Sequence, residues 1–346
     1  MISNRIPAEW EKHEATLFSF PADDIDWPGK YPIIKWVFVE IIKKLTQFEP
    51  VILLVKSEKF RNSVEQMLRK AHVDLEKVRY IIKETNRSWM RDSGPIIVKN
   101  ENREREALHF GFNAWAKYPE FDKDYGIPGE IASFLNIPLI PVNYEGRQVI
   151  LEGGAIDHNG CGSLITTEEC LLDKNLQVRN PGFSKTDYEN VFRQYLGIKN
   201  VIWLGDGIEG DDTHGHVDDI CRFVKNNTVL AAREINTNDV NYRRLEENIE
   251  RLQGARTENG EKLDFVTIPM PERLYFKNIR LPASYVNFLI ANEAIFVPVF
   301  NDKNDYKALG IIKDLFPQYN VIGISCVELI WGLGTLHCLS REIPAK

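Results

Sequence analysis

The chain has 346 residues, of which 43% are hydrophobic and 27% charged, the balance of an ordinary globular protein with room for a sizeable core. A net charge of −7 argues against nucleic acid as a partner, because binding phosphates needs a basic face. The five cysteines are odd in number, scattered and without a CxxC pair. They fit reduced thiols in a cytosolic protein, not a disulfide frame or a zinc knuckle.

The opening MISNRIPAEWEKHEATLF has no apolar segment and no small-residue cleavage site, so a secretory signal is not expected. Apolar residues at helical spacing predict a first helix over 33–48. A strand over 51–55 follows; it is also the longest clean apolar run, far too short to cross a bilayer, so no membrane partner is expected. Further on, helices are predicted over 57–71, 128–135, 186–196, 238–252 and 306–315. Strands are predicted over 96–98, 164–166, 201–204, 228–231 and 294–299. Strands alternating with helices indicate an α/β fold.

Four polar residues stand beside turns in this pattern: Asp92, Glu152, His216 and Cys338. They are separated by 60, 64 and 122 residues, and the last interval is about twice the others. About five copies of one unit, each offering a residue from the same place, would produce these intervals. The copy absent from the series would fall near 284–287.

The densest cluster of chemistry is EGDDTHGHVDD, with five acids and two histidines between Glu209 and Asp219. In an extended segment His216 and Asp218 point the same way. A carboxylate beside an imidazole orients it and stabilises its charged form, as a general acid and base requires. The same string offers His214, His216, Asp218 and Asp219 as an HxH-type metal set. A hydrogen-bonded loop without catalytic duty is the third reading, and the string alone leaves all three open.

Near the C-terminus, GLGTLHCLS places glycines before a His-Cys pair. Most cysteines are inert small hydrophobes, and Cys161, Cys170, Cys221 and Cys326 read that way. For Cys338 the glycine-rich approach favours a nucleophile, which becomes usable where its thiolate is stabilised. An extended backbone would turn His337 away from Cys338, so the partner imidazole is expected to be His216. WMRDSGP and LEGG add Asp92 and Glu152. Several carboxylates, a histidine and a cysteine together suit a planar cation with forked N–H donors, which is a guanidinium.

Long motifs in order resemble one family along essentially the whole chain. They are PAEWEKHEATLFSFP (7–21), RSWMRDSGP (87–95), FNAWAKYPEFDKD (112–124), LEGGAIDHNGCGSLITTEECLL (151–172), WLGDGIEGDDTHGHVDD (203–219) and GLGTLHCLSREIPA (332–345). They are similar to the agmatine deiminase branch of the guanidine-modifying (pentein) superfamily, grouped with bacterial peptidyl-arginine deiminases. The resemblance implies one catalytic domain over 1–346, folded as a pseudo-fivefold α/β propeller of ββαβ-type modules. It implies Cys338 as covalent nucleophile, His216 as general acid and base, Asp92 and Asp218 gripping the guanidinium, and Glu152 orienting His216. Trp89 and Asp212 would line the substrate's far end. No metal or other cofactor is implied, which favours the acid/base reading of the histidine string.

Two departures stand out. GLGTLHCLSRE replaces the plant-type Gly-Gly-Gly-Asn-Ile-His-Cys ending, and Asp212 stands where many members carry glutamate. The expected reaction converts agmatine and water to N-carbamoylputrescine and ammonia, on the way to putrescine. The alternatives are a peptidyl-arginine or other small-guanidine deiminase on the same scaffold, and a metal-dependent hydrolase using His214 and His216. An agmatine pocket should offer an acid or an aromatic face and no carboxylate-binding arginine. Cytoplasmic location and a possible homodimer complete the expectations.

Overall fold

The computed structural model describes residues 4–346, so the first three residues of the chain lie outside the described residues. Four three-stranded sheets and one four-stranded sheet repeat one plan, an antiparallel pair followed by a helical crossover to a parallel strand. In one set Ile96–Lys99 pairs with Arg105–His109, and after the helix Ile127–Leu135 the chain adds Leu139–Pro141 in parallel. The next uses Ile156–His158, Ser163–Thr167 and Asn200–Leu204. It is followed by Cys221–Lys225, Thr228–Arg233, the helix Val240–Gln253 and Asp264–Pro269. Leu289–Ala291, Ala294–Val299, the helix Asp305–Leu315 and Asn320–Ser325 make another.

The remaining set closes the chain on itself. His13–Ser19 runs parallel to Val51–Val55, which runs parallel to Val78–Ile82. The antiparallel partner of His13–Ser19 is Arg341–Pro344, from the other end of the chain. The strand that follows Cys338 is thereby locked beside the N-terminal one.

Local sequence accounts for these elements. Every residue of Val51–Val55 is buried, as a strand covered on both faces requires. Pro32 opens the helix Tyr31–Leu45, where its missing N–H has no intrahelical partner to lose. Ser57 caps Glu58–Lys70 by accepting from the Phe60 N–H at 3.2 Å. Each predicted helix and strand exists within a few residues of its expected bounds. The span 186–196 is the one that changes type: Lys185–Val191 is α-helical and Phe192–Leu196 is a π-turn, ended by Gly197 at φ 72°.

Repetition positions the chemistry. Asp92 precedes the first strand of its set by four residues, as does Glu152; Asp218 and Cys338 precede theirs by three. Asn287 stands two residues before Leu289–Ala291, beside the stretch where the fifth copy is expected. All five strand starts therefore deliver a polar side chain to one region.

Candidate active site

Gly154 marks where the side chains meet. A Cβ at this position would lie 2.5 Å from His216 Nδ1, 3.0 Å from Asp92 Oδ1 and 3.1 Å from Asp218 Oδ2. Only a glycine leaves room for an imidazole and two carboxylates to converge there. Gly154→Ala should therefore displace these groups and cost at least about 100-fold in turnover, while circular dichroism stays that of the parent.

Cys338 faces a cavity of about 220 Å³ together with Asp92, Trp89, Trp115 and Asp212. Its Sγ lies 3.8 Å from Asp218 Oδ2 and accepts from Asn287 Nδ2 at 3.0 Å. Asn287 Oδ1 in turn accepts from Thr335 Oγ1 at 2.8 Å and from the His337 N–H at 3.1 Å, pinning the loop that carries the thiol. Gly332 and Gly334 let that loop lie against Trp89, since a Cβ on either would fall within 3 Å of the indole. Burial, with Asp218, Asp219 and Asp92 around it, pushes the Cys338 thiol well above its ordinary range.

The acids differ in charge. Asp92 accepts from the Gly154 N–H at 3.0 Å and from Trp115 Nε1 at 2.9 Å, yet burial still raises its carboxyl. Burial would also raise Glu152, but Arg179 Nε at 3.1 Å and His216 outweigh it and hold Glu152 at about 2. His216 lies 3.8 Å from Asp92 and 3.9 Å from Glu152, and neither ring nitrogen has a hydrogen-bond partner. Burial opposes its charged form, but Asp92, Cys170 and Glu152 prevail and raise it well above the usual histidine value. A cationic His216 with unspent N–H groups is equipped to donate protons.

The predicted metal set does not assemble: His214 Nε2 turns to Asp173 Oδ2 at 2.9 Å, away from His216. Ligand-type atoms instead gather as Glu152, Cys170 and His216, and as Asp218, Asp219 and Cys338, each group within 4.8 Å. In the first, Arg179 already neutralises the carboxylate. The expected direction of His337 is corrected. Leu336–Leu339 is a helical turn, not an extended strand, and swings His337 Nδ1 to 2.6 Å from Asp218 Oδ2.

Trp89 and Asp212 both line the cavity that Cys338 faces. Asp212, however, is not free. It accepts from Lys117 Nζ at 2.5 Å and from the Tyr118 hydroxyl at 2.7 Å. Arg87 also lines the cavity, with its guanidinium bound to Asp26 at 2.8 Å.

Sequence reasoning named neither Asn287 nor Trp115 as a site residue. Trp115 sits in a left-handed turn formed by three non-glycine residues in succession, Ala114 to Ala116, at φ of 49°, 58° and 52°. Such backbone is costly, and it is held by Asn113 Oδ1, which accepts from the Ala116 N–H at 2.9 Å. The strained turn aims the indole N–H at Asp92.

The family description "Porphyromonas-type peptidyl-arginine deiminase" matches residues 5–344. The chain is 32% identical to an agmatine deiminase of Pseudomonas aeruginosa (strain LESB58), covering 99% of this chain and 95% of that protein. It superimposes on an agmatine deiminase of Enterococcus faecalis with a TM-score of 0.89 at 28% identity, covering 99% and 96% of the two chains. A substrate-bound agmatine deiminase of C. Jejuni gives 0.88 at 29%, with the same coverage. An amidinotransferase from Microseira wollei, 14% identical with a TM-score of 0.53 over 98% of this chain and 96% of that one, shares the fold alone. The five repeated units are thus the modules of the pentein propeller, and the chain belongs to the Porphyromonas-type peptidyl-arginine deiminase family.

Proposed function

We propose that the chain hydrolyses agmatine to N-carbamoylputrescine and ammonia through a covalent intermediate on Cys338. The observation that carries this reading is a thiol and carboxylates in one cavity, with Cys338 Sγ 3.8 Å from Asp218. Full-length likeness to agmatine deiminases supports it.

Asp92 and Asp218 grip the guanidinium nitrogens and bring its central carbon over the sulfur. The cation offsets the acids that keep the thiol neutral, so Cys338 releases its proton to water once substrate is bound. Sulfur bonds to the central carbon, a C–N bond breaks, and His216 supplies the proton with which ammonia leaves. Glu152 holds His216 in place. His216 then takes a proton from water, whose oxygen attacks the amidino carbon. The C–S bond breaks, the proton of the added hydroxyl passes to the thiolate, and the ureido product departs with the thiol restored. Water enters and ammonia leaves, with no change of oxidation state.

Incubation with agmatine, free arginine and a blocked arginyl peptide tests the substrate. Ureido product should form from agmatine far faster than from the other two; a preference for the peptide would overturn the reading. The rival small-guanidine reading draws on one observation: both acids at the distal end, Asp212 and Asp26, already hold cations. If Lys117 competes with agmatine's ammonium for Asp212, Lys117→Ala should lower the KM for agmatine about twofold to fivefold, the worth of one partly exposed ion pair. Steady-state kinetics should show kcat unchanged.

All five cysteines are unpaired and no helix among the described residues is long and apolar enough to cross a membrane, which fits the cytosolic setting we infer. We take 1–346 as one catalytic domain, because the strand after Cys338 completes the N-terminal sheet. A homodimer is the assembly we propose, to be checked by light scattering.

A further inference from the structure

His337 adjoins the nucleophile in sequence but serves another group. Its ring is buried between two carboxylates, with Nδ1 at 2.6 Å from Asp218 Oδ2 and Nε2 at 2.7 Å from Glu9 Oε1. Carboxylates in their charged form only accept, so an imidazole placed this way donates from both nitrogens. Glu9 is itself fixed: it accepts from Arg91 Nη1 at 2.7 Å and from Arg222. Arg222 also binds Asp157 at 2.5 Å, and Arg91 binds Glu342 at 2.8 Å. A rigid charged bridge thus runs from the N-terminal segment to the site.

The two oxygens of Asp218 are divided. Oδ2 is held by His337, and Oδ1 is buried with no protein partner. An orphaned buried carboxylate oxygen costs free energy unless a donor arrives. We propose that His337 is a positioning residue for guanidine hydrolysis, holding Asp218 Oδ2 so that Oδ1 is presented to the substrate's N–H groups. This rests on the proposed binding of the guanidinium by Asp218. The bridge also settles charge. Burial disfavours an ionised Asp218, and the His337 contact outweighs it and holds the carboxyl below its ordinary range. The charged and titratable groups around the bridge are Glu9, Asp218, Arg91 and Arg222, with Asp157 and Glu342 behind them and His216, Asp219, Asp92 and Cys338 on the site side.

The test compares wild type, His337→Ala and His337→Asn as full chains, with agmatine kinetics across pH. His337→Ala should lose about tenfold to 100-fold in kcat/KM, as orienting groups usually do. Its acid limb should move to higher pH, because Asp218 loses the donor that keeps it ionised. His337→Asn restores an N–H near the place of Nδ1 and should recover much of the loss and bring the limb back. Nitrogen-labelled histidine spectra of the wild type, assigned with His337→Asn, should show both His337 ring nitrogens held in hydrogen bonds; they test the bridge even if His337→Ala fails to fold. Folded variants with parental kcat/KM and an unmoved acid limb would overturn the proposal, as would a His337 ring whose nitrogens make no hydrogen bonds. A wild type inert toward agmatine defeats the proposed function instead, and the ring spectrum then decides whether the bridge exists.

Discussion

Cys338→Ala should release no measurable ammonia from agmatine, a loss of about 10⁴-fold or more, while the protein keeps its fold and still binds substrate. The nucleophile is the one group in the cavity whose job no neighbour can take over, since carboxylates there are needed to hold the cation. Its side chain is small; its loss takes the acceptor from Asn287 Nδ2 but leaves the Asn287–Thr335 and Asn287–His337 bonds intact, so the fold should survive a modest loss of stability. A second result follows from charge. Burial and three carboxylates keep the resting thiol protonated. A neutral alkylating reagent should therefore react slowly with Cys338, and an isosteric reagent with a cationic amidinium head much faster, because it brings the missing positive charge. Mass spectrometry of the modified peptide reads both rates. Equal rates would mean that the thiol is activated before substrate arrives, and full activity in Cys338→Ala would end the covalent mechanism. Chelator should leave the wild type unaffected.

Much of this site is legible in the sequence because the chemistry repeats. Asp92, Glu152, His216 and Cys338 announce themselves as polar residues near glycines at near-equal spacing, and the spacing exists because each set of strands begins the same way. Asn287 belongs to the same series but sits in SYVNFLIANEAIFVPVF, where one amide among apolar residues carries no motif; only the interval points near it. His337 is misdirected by a local assumption. Side chains alternate along a strand, but Leu336–Leu339 is a helical turn, and one change of backbone type turns the imidazole onto Asp218. Trp115 is hidden for a different reason. A left-handed run of three residues is expected of glycines, and here Ala-Trp-Ala adopts it under tertiary constraint. The pairing of Lys117 with Asp212 spans 95 residues, beyond any local pattern.

Arg179→Met should be the most damaging of these changes to stability. Arg179 and Glu152 are both buried, and Nε donates to Glu152 at 3.1 Å while the other nitrogens satisfy the carbonyls of Gln177 at 2.8 Å and Thr213 at 2.5 Å. Removing one partner of a buried pair leaves an uncompensated charge and costs about 3–5 kcal/mol, a large share of the roughly 5–15 kcal/mol that holds a domain folded. The pH dependence separates this cause from simple loss of packing. In the parent Glu152 is depressed from 4.5 to about 2, so its contribution is present above the unfolded value and is lost as pH falls through about 2. In the variant burial acts unopposed by Arg179, Glu152 takes up a proton at higher pH, and its unpaired charge disappears. The deficit in unfolding free energy should therefore be widest near neutrality and narrow as the pH is lowered from about 5. Denaturant titrations at several pH values measure it. A deficit that stays constant with pH would assign the damage to the two abandoned carbonyls and the lost guanidinium packing, and would remove Arg179 from the electrostatics that hold Glu152 beside His216.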